Sequence, residues 1–390
     1  AGINGSGKHN NWSICTDEGE NLLDPGETPH ENMQFLLFLA AILRAVDEHA
    51  DLLRLSASTP GNDHRLGANE APPAIISVFL DDQLEDVLSQ LCEKGEATRS
   101  LEGSQLETGV STVPRFSKDA TDRNRTSPFA FTGNRFEFRM VASSNSIGDT
   151  NTVLSAMMAE AFADAIDALT GAEDLDKAVE EYTVKLMREH ERIIFNGNGY
   201  TDEWLEEAKK RGLYNLVSTP DALPHLIDEK NEKLLTSHHI FTDAELHSRY
   251  EIKLDNYVKT LHIEANTLVE IIQKDLLPSI TTYMEKLAQT ASLKKSVVPG
   301  ISVSAEASLL SRLTELAETM TKDLETLKAD TAMAEYEVDK DLLKSAKLYQ
   351  SVVLTDMEKV RVSADAAEAL IPDSILPYPT YGKLLISIAD

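Results

Sequence analysis

Basic charge is scarce in this chain: 37 lysines and arginines stand against 65 aspartates and glutamates, a formal net charge of −28 over 390 residues. Such a surface repels phosphate backbones and anionic membranes as a whole, so neither nucleic acid nor membrane is expected as a partner. Any phosphate contact has to come from local arginines. Cysteine is scarcer still. Cys15 and Cys92 cannot make the disulfide framework of a secreted scaffold at this length, which points to a reducing setting, the cytoplasm. The sequons Asn11-Trp12-Ser13 and Asn124-Arg125-Thr126 then read as accidental. A charged-then-apolar leader is missing, and the most apolar stretch, Met33 to Val46, is short for a bilayer span and interrupted by Gln34 and Arg44. It is expected as a buried core helix. Methionine is absent from the first position, and chemistry-bearing residues begin at the fourth, so the chain reads as the C-terminal part of something longer.

What is present is an ordinary globular composition, 42% hydrophobic and 26% charged, long enough for a sizeable core and two domains. The expected fold class is α+β and helix-rich. A glycine-rich turn leads into a strand by Ser13, a long helix covers roughly Pro29 to Leu55, and a strand-like run follows from Ala74 to Leu80. Residues Asp81 to Ala120 are polar, with Gly95, Gly103 and Gly109, and are expected to be partly mobile. Phe129 to Val141 reads as a strand, with helices over Asn151 to Leu169, Asp174 to His190 and Asp202 to Arg211, the last capped by Thr201 and stopped by Gly212. Beyond about Leu235 the texture changes. Leu254, Val258, Leu261, Ala265, Leu268 and Ile272 keep a four-three spacing, and Leu309, Leu313, Leu316 and Met320 begin a second series. The expected division is therefore residues 1–235 as one domain and 236–390 as a helical hairpin or small bundle, bent at Pro278.

Two stretches carry the chemistry. The first is Gly5-Ser6-Gly7-Lys8-His9-Asn10-Asn11, a glycine-rich backbone beside an imidazole. It nearly matches the phosphate-binding loop G-x-x-x-x-G-K-[ST], but His9 stands where a magnesium-binding hydroxyl is required, so a nucleotide hydrolase loop is a poor reading. The second is Asp122-Arg123-Asn124-Arg125, followed by Asn134-Arg135-Phe136-Glu137-Phe138-Arg139. Alternation puts Glu137 and Arg139 on one strand face, a carboxylate for a cation beside a guanidinium for a phosphoryl oxygen. The bland alternative is a surface ion pair between them. His238-His239 lacks a third nearby ligand and reads as satisfied histidines rather than a metal pair.

In their order, these residues resemble the glutamine synthetases. Asn4 to His9 is similar to the N-G-[SA]-G-x-H motif, Arg65 and Glu70-Ala71-Pro72 to the K-R-x-x-P-G-x-E-A-P loop, and the two arginine-rich segments to R-N-R and R-[IF]-E-[VF]-R. The wording of Gly7 to Trp12, Thr126 to Asn134 and Phe195-Asn196-Gly197-Asn198-Gly199-Tyr200 resembles the type III branch, with its long subunits and helical extension. The loop departs from the pattern, with five positions rather than six from Arg65 to Glu70 and Gly67-Ala68 in place of Pro-Gly.

The resemblance implies the C-terminal portion of a catalytic domain, an antiparallel sheet with helices, followed by a long-helix extension. It implies ATP and Mg2+ or Mn2+, with His9 and Glu137 as metal ligands and Arg139 and Arg125 against the transferred phosphoryl. Asn4, Gly5 and Arg65 would line the glutamate pocket, Glu70 would take a proton from ammonium, and Asn11, Ser13 and Arg125 would approach the nucleotide. The implied reaction joins ammonia to the side-chain carboxylate of glutamate through an acyl phosphate, in ring-shaped homo-oligomers, hexamers or double-ring dodecamers. The family's other metal-binding glutamates lie in segments N-terminal to the first motif, so the chain alone is expected not to complete its site. A ligase using another amine and a helical scaffold with a relic fold are the competing readings.

Overall fold

The computed structural model describes residues 7–68, 71–100, 105–106, 116–117 and 126–386, and the chain divides into two compact units, Ala1–Tyr250 and Glu251–Asp390. At the centre of the first lies helix α1, Met33–Glu48, whose sequence is apolar nearly all round. A helix of that kind has to be enclosed. Phe35, Leu36, Leu39, Ile42, Leu43 and Val46 are accordingly buried, each worth about 1.5–3 kcal/mol, and the Asn32 side chain caps the first turn by accepting from the Phe35 N–H. The stretch expected as one helix to Leu55 breaks at His49, beyond which α2 covers Ala50–Leu55. His49 leaves helical geometry, with its Nδ1 2.8 Å from Asn231 Oδ1. Helices α4, Gly148–Leu169, and α5, Leu175–His190, flank α1. At their junction the buried Asp47 carboxylate lies 2.8 Å from His190 Nδ1 and accepts from Arg192 Nε at 2.9 Å.

In α2 itself Arg54 is buried, 1% exposed. Its guanidinium donates to Leu216 O, Ser58 Oγ, Val217 O and Asp63 Oδ1, while Asp63 also accepts from the Thr219 N–H and hydroxyl. Burial pulls the arginine's proton affinity down and pushes the Asp63 carboxyl up, and their mutual charge opposes both shifts. Removing one partner strands the other in the core. Arg54→Met is expected to cost about 3–5 kcal/mol in denaturant unfolding; a loss under about 1 kcal/mol would mean that the pair is dispensable.

The sheet has four short strands in the order β1–β4–β3–β2: β1 Asn10–Trp12, β2 Val78–Phe79, β3 Phe129–Phe131 and β4 Phe136–Phe138. The run expected as one strand over 129–141 is a hairpin, reversed at Gly133 (φ 88°), where the Thr132 N–H donates to Arg135 O. The sheet is mixed, not antiparallel as the resemblance implied. β2 pairs with β3 in parallel, Val78 against Phe129 and Phe79 against Ala130, whereas β1–β4 and β3–β4 are antiparallel. Parallel neighbours require a crossover connection, and helix α3, Asp82–Lys94, lies in it. That helix stands in the polar stretch expected to be partly mobile. Asp81 caps it, Gly95 (φ 83°) ends it, and Leu84, Val87, Leu88 and Leu91 form its buried stripe. One sheet face carries the rings of Phe129, Phe131, Phe136 and Phe138, with Phe129 stacked on Phe136 at 4.6 Å and Phe131 reaching Phe35 of α1 at 5.9 Å. That packing fixes which way the other face points. Helices α6, Asp202–Lys210, and α7, Glu229–Ser237, complete the labelled elements of this unit.

The second unit is helical. Helix α8, Asp243–Ile271, begins in the first unit and continues into the second from Glu251; a π turn at Ile272–Leu276 and then α9, Leu277–Val297, with Pro278 in its first turn, follow it. A proline has no N–H to give the preceding turn, and the wider winding falls directly before it. A reversal at 298–303 leads to α10, Ser304–Glu337, and then to α11, Leu342–Leu348, and α12, Leu354–Glu368, joined by a second π turn. α10 packs against both α9 and α12. The four-three series is its core: Leu254, Val258, Leu261, Ala265 and Ile272 are buried, as are Leu313 and Met320.

Candidate active site

β1 and β4 lie side by side with Asn11 directly opposite Glu137. Opposed residues share a face, so with Phe136 and Phe138 turned into the core, Glu137 and Asn11 look outward together. By the same alternation His9 and Arg139 belong to that outward face. His9 Nδ1 lies 2.8 Å from Glu137 Oε1. Arg139 donates from Nε and Nη2 to the other carboxylate oxygen, Oε2, at 3.0 and 2.8 Å. Half-burial alone would raise the Glu137 pKa, but the hydrogen bonds and charge of Arg139, aided by His9, outweigh it and hold the carboxyl below its usual value of 4.5. The group is therefore a carboxylate at neutral pH, with one oxygen committed to the guanidinium and the other to the imidazole.

The main chain around this pair is fixed from behind. Lys8 N–H donates to Val141 O, and the Arg139 N–H donates to Pro128 O at 2.9 Å. Arg65 reaches the same segment, donating from Nη1 to Met140 O at 2.8 Å and Asn62 Oδ1 at 3.1 Å, and from Nη2 to Arg139 O at 2.9 Å. Asn62 in turn donates to Ala57 O and Met140 O. Gly7 is needed at this place for space: a Cβ there would stand 2.1 Å from Arg65 Nη2. Burial lowers the proton affinity of Arg65.

Of the residues expected in the site, His9, Glu137 and Arg139 converge directly, Asn11 lies beside Glu137 across the ladder, and Arg65 braces the backbone beneath them. Ser13 is further along, donating to Asn21 Oδ1 at 2.6 Å and Asn134 O at 3.3 Å. Asn4, Gly5, Glu70 and Arg125 lie outside the described residues. His238 is paired, its Nε2 2.7 Å from Glu160 Oε2, as expected of a satisfied histidine. Asn62 was not foreseen, because nothing local in Pro60-Gly61-Asn62-Asp63 marks a side chain that meets Met140 O.

The donor set suits a divalent cation. The imidazole nitrogen and the carboxylate oxygen are 2.8 Å apart, close to the roughly 3 Å between adjacent ligands in an octahedral shell with bonds of about 2.1 Å, so an ion that displaced the proton between them could take both as ligands. Arg139, on the opposite oxygen, fixes the orientation of the carboxylate and would leave Oε1 for such an ion.

Compared with known proteins, residues 178–295 match the glutamine synthetase C-terminal domain. The whole chain aligns with a glutamine synthetase of Butyrivibrio fibrisolvens at 48% identity, over 99% of this chain and 55% of that protein. A type-3 glutamine synthetase of Dictyostelium discoideum is 41% identical over 99% of this chain and 53% of its own length. Over nearly its whole length the chain is similar to glutamine synthetases. A further glutamine synthetase, from Bacteroides fragilis, is 36% identical, with 99% of this chain and 54% of its own covered. The chain thus spans about half the length of the curated relatives it matches, 53–55%. The likeness to the type-3 protein agrees with the branch resembled by the sequence motifs.

Proposed function

We propose that this chain supplies part of the active site of a glutamate–ammonia ligase, joining ammonia to the side-chain carboxylate of glutamate at the expense of ATP. The observation that carries this reading is the convergence of His9, Glu137 and Arg139 on one outward sheet face, with Glu137 held charged. In this reading His9 and Glu137 hold Mg2+ or Mn2+. When bound, the ion supplies charge neutralisation for the transferred phosphoryl group. Arg139 keeps Glu137 ionised and adds positive charge beside the phosphoryl oxygens, with Arg125 as its partner there.

Asn4, Gly5 and Arg65 are assigned to glutamate. Arg65 serves also by fixing the Arg139–Met140 backbone. Glu70 takes the proton from ammonium, and Asn11 and Ser13 lie toward the nucleotide. ATP phosphorylates the side-chain carboxylate, which makes its oxygen a good leaving group, and ammonia displaces phosphate to give the amide. Residues 1–235 are proposed as the catalytic portion and 236–390 as the helical extension, in a ring-forming cytoplasmic oligomer. Ligands beyond His9 and Glu137 would come from the remaining length that the relatives have.

The deciding experiment gives the full-length protein ATP, Mg2+, glutamate and a panel of amines. Glutamine formed from ammonia in step with ADP release is the expected result. ATP turnover without glutamate, or a polyamine accepted where ammonia fails, would replace this reading.

A further inference from the structure

The segment Phe195 to Tyr200 is bound to Val78 and Leu80 and to Thr126. The Phe195 N–H donates to Val78 O at 2.9 Å, and the Leu80 N–H donates to Asn196 Oδ1 at 2.9 Å, so this segment is laid along β2. Phe195 stacks on the buried Trp204 of α6 at 3.6 Å, which fixes its other side. Gly199 then sits where two chains meet. Its N–H donates to Thr126 Oγ1 at 2.8 Å. A Cβ on Gly199 would stand 3.2 Å from Thr126 Oγ1, 3.3 Å from Thr126 O and 3.3 Å from Pro73 Cγ, tight against all three.

Both neighbours lead to the site. Thr126 begins the short run to Pro128, whose carbonyl accepts from the Arg139 N–H. Pro73 follows Pro72, whose carbonyl accepts from the Gly67 N–H, and Arg65, two residues before Gly67, holds Arg139 O. The Arg139 peptide groups are thus held from two directions, by Pro128 and by Arg65, and an added Cβ at Gly199 would meet a neighbour of each, Thr126 and Pro73.

Resting on the ligase reading above, we infer that Gly199 is a positioning residue, a spacer that holds Thr126 against Pro73 and thereby sets the place of Arg139 and Glu137. Its backbone φ is not in the left-handed region, so the requirement is for room, not for conformational freedom. An added methyl has to push the two supports apart by a few tenths of an ångström. Misplacement of that size is expected to cost about tenfold in rate, given that about 1 Å costs about a hundredfold.

In the full-length protein, Gly199→Ala and Thr126→Val should each lower kcat for glutamine formation about tenfold, whereas Thr126→Ser, which keeps the accepting hydroxyl, should stay within about twofold. Hydrogen exchange at the Arg139 amide gives a second readout that needs no activity. It should quicken in Gly199→Ala and Thr126→Val, with the melting temperature and the exchange of α1 unchanged. Wild-type kcat together with wild-type Arg139 exchange in Gly199→Ala would overturn the inference. So would a loss of kcat matched by faster exchange throughout α1, since that is general destabilisation. Should the wild-type protein make no glutamine, the ligase reading fails while the exchange measurement still decides whether Gly199 sets the Arg139 position.

Discussion

Replacing Arg139 by alanine is expected to lower glutamine formation by at least about a hundredfold, the scale on which one well-placed charged donor acts. Two losses combine in that change. The site loses a positive charge, and Glu137 loses both hydrogen bonds to its Oε2. Burial, until then outweighed by Arg139, is left to push the Glu137 pKa upward. The sign of the pH effect follows. In the native protein the folded pKa lies below 4.5, so the favourable contribution is fully present above that value and is lost as pH falls through the folded pKa. In Arg139→Ala the acid limb of the rate profile should move to higher pH, which a profile of kcat against pH measures directly. Arg139→Lys should recover part of the rate, since an ammonium restores charge without the planar fork. Activity within about threefold of wild type in the alanine variant would remove Arg139 from the phosphoryl site.

The second large effect is expected from Glu137→Gln. The amide keeps the size of the side chain and can still accept from Arg139, but its charge is gone and so is its value as a ligand for a hard cation. The concentration of Mn2+ needed for half-maximal activity should rise by at least the 10–100-fold that loss of an outer-shell partner costs in metal sites. Metal-saturated activity should fall at least about a hundredfold. His9→Ala should shift the metal requirement in the same direction with Glu137 still charged. An unchanged Mn2+ requirement in both variants would mean that the 2.8 Å contact between these side chains is an ordinary ion pair. The two variants separate cleanly, because Arg139→Ala moves the pH profile first and Glu137→Gln the metal dependence.

Much of the site was legible because its logic is local. Alternation along Phe136-Glu137-Phe138-Arg139 put the aromatic rings on one side and the charged groups on the other, and the sheet reproduces that division. His9 was marked by its motif, and the first ladder supplied its meeting with Glu137. Helix α3 could have been read as well: Leu84, Val87, Leu88 and Leu91 recur at helical spacing between Asp81 and Gly95, but the many polar residues between them masked the stripe. Other features were not available in the sequence at all. The guanidinium of Arg65 binds carbonyls of Arg139 and Met140, and backbone acceptors leave no trace in residue identity. The parallel pairing of β2 with β3 depends on how the intervening chain crosses over, which residue preferences in a two-residue strand do not encode.

The hairpin joining β3 to β4 has an implication for how this protein can vary. Glu137 faces outward only because Phe136 and Phe138 face inward, and a slip of one residue in β4 would exchange them, drawing a carboxylate into the aromatic layer and exposing two phenyl rings. Length changes in the reversal around Gly133 are therefore constrained by parity. A single inserted or deleted residue that passes into the ladder breaks the site, whereas a pair can preserve which side chains look out. Natural drift and laboratory recombination alike should find this short connection far less forgiving than its exposed position on the surface would suggest.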